Sequence, residues 1–221
     1  FKTTFRLQPS GFISFIGAIL IGLGAWAFAH EAFVIADAMG IGGLSDKQIA
    51  GAEATVAKMR ETSPLLLIAV FALTPAVIEE LCFRGYLFSA IRGAVSPLRT
   101  VVITALLFGL FHVLTGSALL VERFVPSTLM GLIIGWVAYR TGSVFPGIVI
   151  HFVHNGLLNT VLYYQDQLSF LGAGFDDKTH LPPLWLAISA SLVMVGAVMI
   201  WASSRKHVQA DLHRAGDLPS P

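Results

Sequence analysis

The feature of this sequence that most limits its fold is a series of six apolar stretches separated by polar segments. A membrane-spanning helix needs about 20 mostly apolar residues. Only 12% of the 221 residues are charged, against about 25% in an ordinary soluble domain, and the mean hydropathy is +0.76. The sequence therefore predicts an all-α polytopic membrane helix bundle with about six transmembrane helices. The stretches lie at 11–29, 65–78 with a charged continuation, 101–114, 126–139, 144–164 and 184–202.

The remaining segments define the expected domain organisation. Residues 46–61 mix charged side chains with Ala, Val and Met, which favours an amphipathic surface helix. We expect one membrane domain at 1–204 and a disordered polar tail at 205–221. The chain begins with Phe1, as a piece cut from a longer polypeptide would.

The number and placement of charges indicate orientation and partners. Six crossings put both termini on one side of the membrane, and Lys and Arg are more frequent on that side. The positive-inside rule then predicts cytoplasmic termini. A net charge of +1 gives no indication of a nucleic-acid partner. Membrane lipid is the expected surrounding, because six stretches are predicted to cross the bilayer.

The second apolar stretch is interrupted by Glu79, Glu80 and Arg84. Each charge at bilayer depth costs roughly 2.5–3.5 kcal/mol, which favours a functional site. Glu80 and Arg84 are four residues apart on one helix face and can form an ion pair. Glu79 points about 100° away and needs a partner on another helix. Pro75 predicts a kink or helix restart just before the glutamates.

Other polar residues in the predicted spans could meet Glu79 inside the bundle. A carboxylate and a histidine can together orient and deprotonate a water molecule. A second histidine and an amide can donate hydrogen bonds to the oxyanion formed when that water attacks a peptide bond. The polar set therefore implies peptide-bond hydrolysis in or at the edge of the bilayer. The candidates are His112, His151, His154, Asn155 and Asn159.

A zinc site is the competing interpretation. Glu79, His112 and His151 would form a suitable ligand set with one position left for water. The HExxH signature is absent, because His151 and His154 are three apart with no carboxylate between them. Spacing alone leaves both interpretations open.

Three short motifs occur in order on successive predicted helices. Residues Glu79 to Arg84 match EExxxR, Phe108 to His112 match FxxxH, and His151 to Asn155 match HxxxN. In this order they resemble the CPBP family of intramembrane endopeptidases, also called the Abi or CAAX protease and bacteriocin-processing family. The resemblance covers about residues 64–164.

The resemblance implies a protease-like domain whose motif core is 64–164. It implies that Glu79 and His112 activate the water and that His151 and Asn155 hold the oxyanion, without a cofactor or with zinc as the alternative. His154 lies outside the motifs and receives no role. Glu80, Arg84 and Phe108 are expected to support the site, by bracing it or by contacting the substrate.

The resemblance also suggests substrates and a location. CPBP members include CAAX prenyl endopeptidases, which remove the last three residues of prenylated proteins, and bacterial members tied to bacteriocin maturation or self-immunity. We therefore expect a peptide or protein substrate, prenylated in the CAAX case, and a prokaryotic cytoplasmic membrane.

Two other functions fit the sequence less well. One is a non-catalytic membrane partner or immunity module, belonging to a larger transporter-linked polypeptide. Intact motifs argue against it, because a binding module has little need for costly charges in lipid. The other is a proton-coupled transporter, for which the sequence shows no inverted repeat.

Overall fold

The helical bundle predicted from the apolar stretches is confirmed. The computed structural model describes residues 3–41, 46–115, 121–168 and 179–204, which contain no strand. Six of its helices are long and apolar enough to cross a membrane. The tail predicted at 205–221 lies outside the described residues. The helices are α1 Phe12–Ala38, α2 Asp46–Arg60, α3 Pro64–Arg92, α4 Pro97–Leu114, α5 Val121–Thr141, α6 Phe145–Tyr163, α7 Gln165–Leu168 and α8 Pro183–Ser203.

Proline and glycine set several of the helix ends. Proline stands in the first turn of α3, α4, α6 and α8, where its missing N–H leaves no bond unmade. At the other end of α5, Gly142 takes the left-handed conformation with φ +68°. The polypeptide therefore reverses within a few residues and enters α6 close to α5.

Helix α3 contains two π-helical stretches on either side of the glutamates, Ala69–Leu73 and Leu81–Leu87. Pro75 cannot donate a backbone hydrogen bond. Just before it, the backbone N–H of Thr74 reaches back to Ala69 O, and the Thr74 hydroxyl donates to the same oxygen at 2.8 Å. An α-helical turn restarts at Thr74. The predicted restart is thus a π-helical turn, Ala69–Leu73, followed directly by α-helix from Thr74, and α3 is continuous across it.

Helix α1 lies at the centre of the bundle and packs against α5, α6 and α8. Four helices contribute to one apolar core. Its buried members are Ala18, Ile21, Ala25, Met130, Ile134, Val137, Ile150 and Ile200. Helix α4 packs on α5 and helix α3 on α6, so the motif-bearing helices lie beside this core.

The contact between α1 and α8 depends on two glycines, Gly17 and Gly196, which we call the glycine seam. A Cβ atom on Gly196 would lie 2.5 Å from Gly17 O, and one on Gly17 would lie 2.8 Å from Gly196 O. Small residues let helix backbones approach closely in membranes. A side chain at either position would push the helices apart.

Two peripheral segments are tied to the bundle by polar contacts. In the N-terminal segment, the Arg6 side chain donates to Ala138 O at 2.6 Å and Val144 N–H donates to Arg6 O at 3.1 Å. The surface helix predicted at 46–61 is confirmed as α2. Its last residue, Arg60, forms a 2.7 Å ion pair with Asp166. Asp166 is exposed and Arg60 is partly buried, so the pair contributes little stability.

Candidate active site

Three helices bring the predicted site residues together. Glu79 comes from α3, His112 from α4 and His151 from α6. Glu79 Oε2 lies 3.7 Å from His112 Nε2 and 4.0 Å from His151 Nε2. Both separations exceed a direct hydrogen bond, and Oε2 is buried without a hydrogen-bond partner among the described residues. One unsatisfied carboxylate oxygen therefore faces two imidazole nitrogens.

The hydrogen bond on the far side of His112 defines which nitrogen can accept. His112 Nδ1 lies 2.9 Å from Phe108 O. A carbonyl oxygen only accepts, so Nδ1 must be the donor. In the neutral ring, Nε2 is then an acceptor, and Nε2 is the atom that faces Glu79.

Glu80 has a different environment from Glu79, although the two are adjacent. Glu80 and Arg84 are both 0% exposed. Arg84 Nη1 donates to Glu80 Oε1 at 2.9 Å, and Arg84 Nη2 donates to Gly131 O on α5 at 3.1 Å. The ion pair predicted from the four-residue spacing is confirmed, and it links α3 to α5.

Glu80 also reaches α6. Its Oε1 atom lies 3.0 Å from His151 Nδ1. Because the Glu80 carboxylate is paired with an arginine and accepts, His151 Nδ1 is the donor, and His151 Nε2 is turned toward Glu79. Gly147 leaves room for this contact, since a Cβ atom there would lie 3.3 Å from Glu80 Oε2.

Phe108 packs against most of the charged and imidazole groups of the site. Its ring centroid lies 4.5 Å from that of His112 and 5.8 Å from that of His151. The Arg84 guanidinium carbon stands 4.3 Å from the Phe108 ring centre, a cation–π distance. Phe108 therefore limits the rotation of both histidines, consistent with its predicted supporting position.

Asn155 and His154 are less directly connected to this cluster. Asn155 follows His151 by one turn on the same face of α6. Its side chain makes no hydrogen bond to another described residue, and its backbone oxygen accepts from Asn159 at 2.7 Å. His154 is buried, and its Nδ1 atom has no partner in the described chain. The structure assigns neither a contact with Glu79.

Two features of the site were not predicted from the sequence. The first is the hydrogen bond between Glu80 and His151, because no local spacing relates residues on different helices. The second is the position of Arg123 at the start of α5, where the next residue, Phe124, lies against Gly109 of α4, three residues before His112. The only available signal was a basic residue at the end of an apolar stretch, which is common in membrane proteins.

The alternative zinc set comprises Glu79, His112 and His151. Across the described ranges, no group of three or more His, Cys, Asp and Glu side chains is placed to hold a metal ion. His151 Nδ1 is engaged by Glu80, so Nε2 would be its ligating atom.

Comparison with known proteins agrees with the motifs. Residues 61–157, a little under half of the chain, match a family described as Rce1-like, type II CAAX prenyl endopeptidase Rce1-like. The matched segment contains all three motifs and every residue of the site from Glu79 to Asn155. No significant match was found among curated proteins or among solved structures. Residues 61–157 are therefore similar to the CPBP family of membrane endopeptidases.

Proposed function

We propose that this protein is an intramembrane endopeptidase in which Glu79 and His112 activate the attacking water. One observation supports this most strongly. Glu79 Oε2 is a buried carboxylate oxygen without a hydrogen-bond partner among the described residues, and it lies 3.7 Å from His112 Nε2. A water bound in this gap would donate one proton to each atom. The family match supports protease activity in general.

The proposed reaction follows from these positions. Glu79 accepts a proton from the water while the water oxygen forms a bond to the carbonyl carbon of the peptide. The carbonyl oxygen becomes an oxyanion, which His151 and Asn155 stabilise through hydrogen bonds. The C–N bond then breaks, and the proton held by Glu79 passes to the departing nitrogen. The products are a carboxylate and a free amine.

His151 can serve as an oxyanion donor in only one form. Its Nδ1 atom already donates to Glu80, so Nε2 donates only when the ring carries a second proton. The Glu80 carboxylate fixes the orientation of such a ring, as the aspartate does in a Ser-His-Asp triad. The complete burial of Glu80 and Arg84 favours a bracing role over direct contact with substrate.

We further propose the setting in which this reaction occurs. The substrate is a peptide or protein that reaches the bundle from the membrane, with prenylated CAAX proteins as the first class to test. Residues 1–204 act as one domain, and the termini face the cytoplasm of a prokaryotic cell. No metal ion takes part in the proposed chemistry.

The test is cleavage of a fluorogenic peptide panel that includes prenylated CAAX peptides, using purified protein in detergent. We expect Glu79→Gln to lower kcat/KM by about a thousandfold, within the range for losing a general base. The fold should persist, because Gln has nearly the same shape and Oε2 has no partner to lose among the described residues. Circular dichroism and size-exclusion chromatography check this.

Glu61→Gln is the matched control, because Glu61 is an exposed glutamate between α2 and α3. It should cleave at the wild-type rate. Turnover near wild type in Glu79→Gln would contradict the proposed base. If the wild-type protein cuts no peptide in the panel, the non-catalytic partner module becomes the better explanation.

A further inference from the structure

The N-terminal segment, residues 3–8, lies across the C-terminal part of α3 and the turn between α5 and α6. At α3, a Cβ atom on Gly85 would lie 3.1 Å from Phe5 O. At the turn, the Ser143 hydroxyl donates a hydrogen bond to a backbone oxygen of the segment at 2.6 Å. None of these residues belongs to the three motifs, yet Gly85 directly follows Arg84 of the buried ion pair. The segment is therefore in contact with the part of α3 that supports the site.

Arg6 makes the contacts that join this segment to α3 and α5. It is 8% exposed, and its Nη2 atom donates to Ala138 O of α5 at 2.6 Å. Its guanidinium carbon lies 4.9 Å from the ring centre of Phe88 on α3, a cation–π distance. Among the described residues other than glycine, only Arg6 has a positive φ, +53°. That conformation is costly for a residue with a side chain, so the contacts of Arg6 hold its backbone in place.

Arg6 and Arg84 connect α3 to α5 in the same way at two levels. Arg84 donates to Gly131 O at 3.1 Å. Arg6 donates to Ala138 O, about two turns further along α5 and on the same side of that helix. Phe88, which faces the Arg6 guanidinium, follows Arg84 by four residues. The Arg6 contact thus extends the link between α3 and α5 toward the end of the bundle.

The part of α3 that carries Arg84 is the π-helical stretch Leu81–Leu87. Arg84 Nη1 donates to Glu80 Oε1 at 2.9 Å, and the same oxygen accepts from His151 Nδ1 at 3.0 Å. A shift of this stretch relative to α5 would move the Arg84 guanidinium. The Glu80 carboxylate would move with it, and the hydrogen bond that orients His151 would change.

We propose that Arg6 is a positioning residue of the candidate site. It holds the π-helical stretch of α3 against α5, and through Arg84 and Glu80 it fixes the orientation of His151. This inference rests on the proposed endopeptidase function, in which His151 stabilises the oxyanion. Arg6 touches no reacting atom. Its loss should therefore lower kcat and leave KM nearly unchanged, because the oxyanion forms only as the reaction proceeds.

The kinetic test replaces Arg6 in the full chain and measures cleavage of the peptide panel per folded protein. We expect Arg6→Gln to lower kcat about tenfold and to change KM less than about twofold, since a small misplacement far from the chemistry can cost up to about a hundredfold in rate. Arg6→Lys should give a kcat between those of Arg6→Gln and the wild type. Its ammonium group can still donate to Ala138 O but cannot stack flat on Phe88.

Arg140→Gln is the matched control. Arg140 also donates to a backbone carbonyl, Trp201 O at 3.0 Å, but this bond joins α5 to α8. The variant loses a comparable hydrogen bond and should keep the wild-type kcat. An equal fall in kcat for Arg6→Gln and Arg140→Gln would show that loosening the bundle at any point lowers activity, and it would overturn the inference.

A measurement without turnover separates this inference from the proposed function. NMR of protein labelled with ¹⁵N-histidine reports the hydrogen bond from His151 Nδ1 to Glu80, and His151→Gln assigns the signal. The signal should shift in Arg6→Gln and in Arg6→Lys and should stay in place in Arg140→Gln. That result supports the inference even if the wild-type protein cuts no peptide. An unchanged signal or a wild-type kcat in folded Arg6→Gln overturns it, and if that variant does not fold, the same result in Arg6→Lys overturns it.

Discussion

The glycine seam between α1 and α8 and the site on α3, α4 and α6 are opposite solutions to packing helices in a membrane. At the seam, Gly17 and Gly196 bring two backbones into contact with no charged group between them. At the site, a buried carboxylate, a guanidinium and two imidazoles fill the space between helices. The seam can only stabilise the bundle, whereas the site includes two buried carboxylate oxygens without a partner among the described residues, Glu79 Oε2 and Glu80 Oε2, which cost stability.

The same difference separates the two glutamates. Glu80 is inaccessible and shares its Oε1 atom between Arg84 and His151, while its Oε2 atom has no partner among the described residues. Glu79 is 17% exposed and has no hydrogen bond to a described residue through Oε2. We infer that Glu80, like the glycine seam, holds helices together. Glu79 is the glutamate available to bind the reacting water.

The largest stability effect should come from breaking the buried ion pair. Arg84→Met leaves Glu80 as a buried charge without its arginine partner and removes the donor to Gly131 O. Removing one partner of a buried pair costs about 3–5 kcal/mol. We expect a loss of this size in the free energy of unfolding, measured by denaturant titration in detergent.

The double variant Glu80→Met with Arg84→Met is the control for this prediction. Because both charges are gone, most of the stability should return. Activity should not return, since His151 Nδ1 has lost its acceptor. Full activity in the double variant would show that Glu80 does not position His151.

A smaller effect is expected at the seam. Gly196→Leu forces a side chain against Gly17 O and should lower the free energy of unfolding by about 1–3 kcal/mol, the usual cost of overpacking. The molecules that remain folded should cleave peptide at the wild-type rate, which peptide cleavage per folded protein would measure. Val198→Leu, on the exposed side of α8, is the matched control and should leave stability unchanged. Loss of specific activity in Gly196→Leu would mean that the seam and the site are coupled.

Removing metal ions should have the smallest effect of all, a change in kcat/KM that is barely measurable. Dialysis against a strong chelator should change kcat/KM by less than about twofold, within ordinary scatter of a rate measurement, because the proposed base is a carboxylate. Activity is measured before and after dialysis, with added zinc as the reverse test. Loss with the chelator and recovery with zinc would make Glu79, His112 and His151 metal ligands and would replace the proposed mechanism.

The sequence predicted the spans, and it identified the main members of the candidate site for a clear physical reason. Charged groups in apolar stretches are costly, so Glu79, Glu80 and Arg84 are conspicuous against their neighbours. The four-residue spacing of Glu80 and Arg84 also sufficed to predict their ion pair, because both lie on one helix.

Contacts between helices were harder to predict. The Glu80 to His151 hydrogen bond and the position of Arg123 depend on how α3, α5 and α6 pack, which no local pattern encodes. The seam was missed because single glycines are frequent in membrane helices. The π-helical stretch before Pro75 was expected only as an unspecified kink or helix restart, since the sequence shows a missing donor but not how the backbone compensates.

The π-helical turn at Ala69–Leu73 determines where α3 can lose a residue without moving Glu79. A π turn holds one residue more than the α turn it replaces. A deletion of one residue there would restore ordinary α-helical bonding and leave Glu79 facing His112. The same deletion between Thr74 and Glu79 would turn the glutamate by about 100° away from the histidines. We therefore expect α3 to accept a one-residue deletion within the π turn and to lose the site when the deletion falls a few residues later.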